Sequence, residues 1–127
     1  INIVTMGTKE EELKKLLDEF QSSSDVKGAA VVRRDGLMIL SSLPADVNSK
    51  AVAAMAAAIV GTGETASNEL NIGELNQVLV ESVGGKLISV GAGEEIIFTA
   101  LVNAKANMGL VLMDMERNSK KIGRIIG

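Results

Sequence analysis

The sequence contains no cysteine, no histidine, no tryptophan and no tyrosine. Each absence closes off chemistry. Without cysteine there is no disulfide framework and no thiolate nucleophile, and without cysteine and histidine together the common zinc and haem ligand sets cannot be assembled. An imidazole base is missing too, so Ser-His-Asp and Cys-His arrangements are excluded within one chain. Phe20 and Phe98 are the only aromatic residues, which leaves little material for base stacking or an aromatic ligand pocket. No run approaches the roughly 18 consecutive apolar residues of a membrane span, and the first residues lack the basic, apolar and small-residue order of a signal peptide. A cytoplasmic location is expected. The chain begins at Ile1; residues 1–7 are expected to be a tail or an expression remnant, with Met6 a candidate native start.

What is present describes one ordinary globular domain. The 127 residues are 46% apolar and 23% charged, enough for a packed core and unlike a disordered chain. A net charge of −3 and an isoelectric point near 5.0 argue against general affinity for nucleic acid or anionic lipid, which need clustered cations. Arg33-Arg34 and the stretch from Lys120-Lys121 to Arg124 are the only local basic candidates, and both read as solvated faces.

Thr8 followed by Glu11 forms a capping-box pattern, and Leu13, Leu16, Leu17 and Phe20 follow at helical spacing. Ser22-Ser23-Ser24-Asp25 should end this helix, since such side chains compete for backbone hydrogen bonds. Residues 29–33 and 37–41 read as strands joined by Asp35-Gly36, a hairpin turn. Pro44 follows, outside the ladder.

Residues 46–70 read as a long helix that is apolar on two stripes. Val47, Ala51, Met55, Ala58, Ile59 and Ala66 form one, assigned to the core. Val52, Ala56, Val60, Gly63 and Ser67 form the other. A helix apolar on two faces is buried on two faces. Either the opening or closing helix covers the second stripe, or that stripe is the seam of a homodimer in which small side chains allow close approach. Three helices and one sheet leave few spare surfaces, which favours the seam.

Strands are expected over 77–83, 86–92 and 96–102, rich in Val and Ile, with turns at Gly84-Gly85 and Gly93-Glu94. Residues 108–126 return to helical period, with Met108, Val111, Leu112, Met115, Ile122 and Ile126 inward and Asn107 as N-cap. The order is α-β-β-α-β-β-β-α with an antiparallel sheet, an α+β domain.

No catalytic constellation emerges, and neither a cofactor nor a metal site is expected. Gly61-Thr62-Gly63-Glu64-Thr65 lacks the Lys of a phosphate loop and lies inside a helix, and Gly91-Ala92-Gly93 precedes a turn. Glu10-Glu11-Glu12 is expected in a first helical turn, where it complements the dipole. Glu94-Glu95 sits at a hairpin tip, and Asp114 with Glu116 lies on a helix.

With this order in view, the chain resembles the roadblock family of dynein light chains and prokaryotic GTPase regulators. The resemblance runs from Leu13 to Ile126 and is most specific in four places: Gly28-Ala29-Ala30-Val31-Val32 with Asp35-Gly36, the Ala-rich helix, Gln77-Val78-Leu79-Val80-Glu81, and Val102-Asn103-Ala104-Lys105-Ala106-Asn107-Met108-Gly109-Leu110. Met108 replaces the Leu usual in an Asn-Leu-Gly-Leu core. The resemblance implies a profilin-like five-stranded antiparallel sheet with the long helix on one face and two helices on the other. It also implies homodimers joined through the long helices and the strand bearing Gln77, Leu79 and Glu81. The implied partner is a Ras-like small GTPase, whose hydrolysis some family members stimulate, or, alternatively, a larger complex that the dimer holds together as an adaptor. An arginine finger from Arg33 or Arg34 is disfavoured beside a hairpin turn.

Overall fold

The computed structural model describes residues 2–23 and 25–126, with side chains from Thr8 onward. The elements are α1 (Asn2–Phe20), β1 (Val26–Arg33), β2 (Met38–Ser42), α2 (Ser49–Glu69), β3 (Val78–Ser82), β4 (Gly85–Gly91), β5 (Ile96–Val102) and α3 (Met108–Ile126). The strands form one antiparallel sheet in the order β2-β1-β5-β4-β3. The expected α+β architecture is therefore present.

Side-chain alternation divides the sheet into two faces. Val31, Ile88, Phe98, Ala100 and Val102 point toward α1 and α3, where Leu13, Leu17, Phe20, Val111, Met115 and Ile122 close the larger core. The Phe20 and Phe98 rings meet edge to face, centroids 5.0 Å apart. Ala30, Val32 and Ile97 point the other way and carry Ala53, Ala56 and Val60 of α2.

Local signals explain most boundaries. Ser22 Oγ donates to the Glu19 carbonyl at 2.6 Å and Ser23 Oγ accepts from the Asp25 amide at 3.3 Å, so the serine run does end α1; Ser24 lies outside the described residues. Gly36 takes φ +92° in the first hairpin turn, as a left-handed position requires. Asn48 caps α2 by accepting from the Ala51 amide at 3.1 Å, and Asn107 caps α3 by accepting from the Leu110 amide at 3.3 Å.

Three expectations need correction. The first helix runs from Asn2, so Thr8 lies within it and the Thr8/Glu11 pair is not its cap, while Glu10-Glu11-Glu12 sits mid-helix. Side chains of residues 2–7, and all of Ile1, lie outside the described residues. The β3–β4 turn falls at Val83-Gly84, one residue earlier than expected, because Ser82 pairs with Gly85 inside the ladder. A Cβ on Gly85 would stand 3.0 Å from the Val102 carbonyl oxygen, so that glycine serves sheet packing rather than the turn.

The third correction concerns α2, whose two stripes are exchanged. Val52, Ala56, Val60 and Ser67 are buried within the protomer, and Gly63 lies under Leu75 and Val78. Met55, Ala58 and Ala66 are exposed, and Val47, Ala51 and Ile59 are half-buried. Small side chains let the helix sit close on the sheet, and placing Gly63 and Ser67 inward lowers the hydropathy of the true core stripe. Ala56→Lys should therefore lower stability by roughly 3–5 kcal/mol, the scale of an uncompensated buried charge. Ala58→Lys should change the stability of the single protomer by less than about 0.5 kcal/mol, read at a concentration low enough that a second copy adds nothing. Denaturant midpoints of the two variants check the exchange.

Candidate partner interface

The two ends of the sheet are not equivalent as strand edges. β2 is irregular: Val31 pairs with Leu40 but Val32 with Met38, leaving Ile39 as an extra residue in a bulge. Its last residue is tied to the residue that follows α1, since Gln21 Nε2 donates to the Ser42 carbonyl at 2.6 Å and Ser42 Oγ donates to Gln21 Oε1 at 2.8 Å. Bulges and attached side chains blunt an edge against further pairing. β3 has no such protection. Its five residues keep an unbroken register from Val78↔Ser89 to Ser82↔Gly85, and no further strand meets its outer edge among the described residues.

Beside that edge the sheet is apolar and incompletely covered. Val80, Leu87 and Leu101 stand opposite one another across β3, β4 and β5, on the face that α2 occupies elsewhere. Val80 is 42% exposed, and Leu87 and Leu101 remain half-buried although β5 is the central strand. α2 lies over the opposite end of the strands: a Cβ on Gly36, in the β1–β2 turn, would be 3.7 Å from the Ala54 Cα and 4.0 Å from the Ala57 Cβ. On a 3.6-residue helix the flank opposite Ala54 and Ala57 bears Met55, Ile59 and Ala66. This flank overlooks the Val80–Leu87–Leu101 row. Met55 is 51% exposed, so helix flank and strand row together form an apolar angle open to solvent and continuous with the β3 edge. A contiguous apolar patch of this kind marks an interaction surface.

The residues anticipated from sequence divide accordingly. Gln77, just ahead of β3, and Leu79 and Glu81 on β3 are all exposed, on the face opposite Val80. Val52, Ala56, Val60, Gly63 and Ser67 are occupied by contacts within the protomer and are not on this surface. Met55, Ile59, Val80, Leu87 and Leu101 were missed as a group. Their period-2 and helical patterns were visible, but only the crossing position of α2 shows which of them stay uncovered.

Several charged side chains away from this surface make structural contacts within the protomer. Lys86 is nine-tenths buried; its Nζ donates to the Ala104 carbonyl at 2.6 Å and lies 3.7 Å from Glu81 Oε2. Arg33 pairs with Asp35 at 2.9 Å, and Arg34 pairs with Glu64 at 2.7 Å. Glu116 pairs with Lys120 and Asp114 with Arg117. On the α3 side, a cleft of about 650 Å³ separates residues 74–77 from α3, with Val90, Leu112 and Met113 among its lining. Among the described residues no group of three or more acidic side chains is placed to hold a metal ion, and no helix is long and apolar enough to cross a membrane.

The Roadblock/LC7 domain family model matches residues 12–102. The chain belongs to the Roadblock/LC7 family. An uncharacterized protein of Methanocaldococcus jannaschii is 40% identical over 113 residues, covering 89% of this chain and 95% of that protein. Two solved structures of MglB, one in a tetrameric arrangement and one from Myxococcus xanthus, superpose with TM-scores of 0.85 and 0.83. Each is 16% identical, and they cover 92% and 91% of this chain and 89% and 94% of theirs. Acanthamoeba castellanii profilin II superposes with a TM-score of 0.54 at 20% identity, covering 79% of this chain and 87% of that one, in keeping with a profilin-like roadblock fold.

Lys86→Ala should cost about 1–3 kcal/mol, because it leaves the Ala104 carbonyl without its partner. Glu81→Gln should stay within about 0.5 kcal/mol, because Glu81 is solvent-exposed. Thermal denaturation of the two variants distinguishes the buried tie from the surface contact.

Proposed function

We propose that this Roadblock/LC7 chain is a homodimeric, non-catalytic regulator of a Ras-like small GTPase, acting in the cytoplasm. The observation that supports the reading most directly is the open apolar angle between α2 and the sheet beside an unprotected strand edge. A second copy related by a two-fold axis would cover both features at once: β3 beside β3, and the Met55–Ile59 flank of one helix against the other. Isologous pairing of this sort needs one self-complementary surface, and the surface described above has a strand edge and a helix flank in continuity.

The GTPase is inferred from family membership together with the chemistry the chain lacks. With no histidine or cysteine, its action on a nucleotide-bound partner is to hold that partner's own groups in place. Arg33 and Arg34 fit this reading, since both are engaged in ion pairs within the protomer and neither is presented as a free arginine finger. Stimulation of hydrolysis, in this account, comes from positioning alone.

Two measurements test the proposal. Light scattering should give twice the mass of one chain, and a Met55→Lys/Val80→Lys double variant should give a single chain with its fold intact by circular dichroism; an unchanged dimer would place the seam elsewhere. Calorimetric titration against Ras-like GTPases encoded near its gene, loaded with GDP or a GTP analogue, should detect binding in at least one nucleotide state. Absence of binding in both states would remove the GTPase assignment.

A further inference from the structure

The two halves of α2 are fastened to the protomer by different means. In the first half, Val52, Ala53, Ala56 and Val60 are buried, the last three packing with Ala30, Val32 and Ile97. Beyond Val60 the only buried side chain of the helix is Ser67. Residues 61–69 read Gly-Thr-Gly-Glu-Thr-Ala-Ser-Asn-Glu, a sequence with two glycines and few strong helix formers. A Cβ on Gly61 would meet nothing within 4 Å, so no contact among the described residues calls for glycine there. Gly63 does make a close approach, with an added Cβ 3.1 Å from both Leu75 and Val78 side chains.

The other fastening is polar. Arg34 Nη1 donates to Glu64 Oε1 at 2.7 Å, and Arg34 Nη2 reaches the Gly93 carbonyl at 3.4 Å. The Arg34 amide donates to the Glu95 carbonyl at 2.9 Å. Gly91 leaves room for the guanidinium, since a Cβ there would stand 3.0 Å from Nη2. One arginine thus ties the second half of α2 to the β4–β5 turn.

We propose that residues 61–69 form a latched arm: the last two and a half turns of α2 open as a unit ahead of the rest of the fold, and the Arg34–Glu64 ion pair is the latch that seats them. Local opening of this kind is expected where buried apolar contacts are few. The arm bears Ala66 of the open flank and leads through Leu70 and Ile72, both exposed, to residues 74–77, which wall the cleft against α3. Seating the arm therefore sets the docking flank and the cleft together. This consequence rests on the docking role proposed for that flank; the latch itself does not.

Native-state amide hydrogen exchange on the full chain tests the latch, run at two protein concentrations tenfold apart so that protection lent by a second copy is separated. Amides of residues 64–69 should share one opening equilibrium about 100-fold more populated than that of residues 53–60. Arg34→Gln should raise it about fivefold to tenfold, with residues 53–60 and β5 unchanged, and Glu64→Gln should act in the same direction. Gly61→Ala should lower it about fivefold by restoring helix propensity, which keeps the test decisive if an Arg34 variant does not fold. A single opening shared by both halves of α2, or latch variants that shift both halves equally, overturns the proposal. The readout needs no partner, so failure of GTPase binding and failure of the latch are separate results.

Discussion

Burial of the central strand on both faces is the constraint on which the fold depends. Phe98 and Ala100 of β5 face α1 and α3, while Ile97 and Thr99 face the other way, and all four are fully enclosed. A strand enclosed in this way must be apolar throughout or satisfy its polar side chains internally. Thr99 does the latter: its hydroxyl pairs with Ser89 Oγ at 2.8 Å and also donates to the Ile88 carbonyl at 3.2 Å. Covering both faces takes three helices, two against one side and one against the other, and the single helix cannot span the whole of its side. The uncovered row at Val80, Leu87 and Leu101 follows from that shortfall.

The sequence was most legible where a local rule and the tertiary environment agree. Residues 96–102 are a continuous β-branched and apolar run and form a strand with those bounds; 108–126 has one apolar stripe, an Asn cap and the expected helix. The order of elements and the antiparallel sheet followed from hairpin turns such as Asp35-Gly36. Legibility failed where local rules were satisfied twice. Two stripes of α2 are apolar, and hydropathy favours the one that contains Met55 and Ile59 over the one that contains Gly63 and Ser67. Packing distance decides the other way, because small residues allow close seating on Ala30 and Val32, and packing distance is not a local property. Thr8 and Glu11 show the same limit, since a capping box is a signal only if the helix has not already begun.

The candidate interface was legible in part. That the strand bearing Gln77, Leu79 and Glu81 joins two copies came from the resemblance; in the structure β3 is a sheet edge and the three side chains are exposed, and their part in an interface is a proposal. The helix contribution was assigned to residues that the protomer itself consumes. The surface that remains is built from residues of four elements, α2, β3, β4 and β5, and becomes one patch only through the strand register and the position at which the helix crosses.

The unequal sheet edges bear on how large an assembly could grow. A pair formed through β3 would use the open edge of each copy and yield a ten-stranded sheet bounded at both ends by β2. Those outer strands are bulged at Ile39 and tied at Ser42 to Gln21, so neither offers a straight ladder to a third chain. Assembly along the hydrogen-bonding direction would therefore stop after one addition. The kink at Ile39, a local fault in one strand pair, would act as the terminator that separates a finite particle from a fibre.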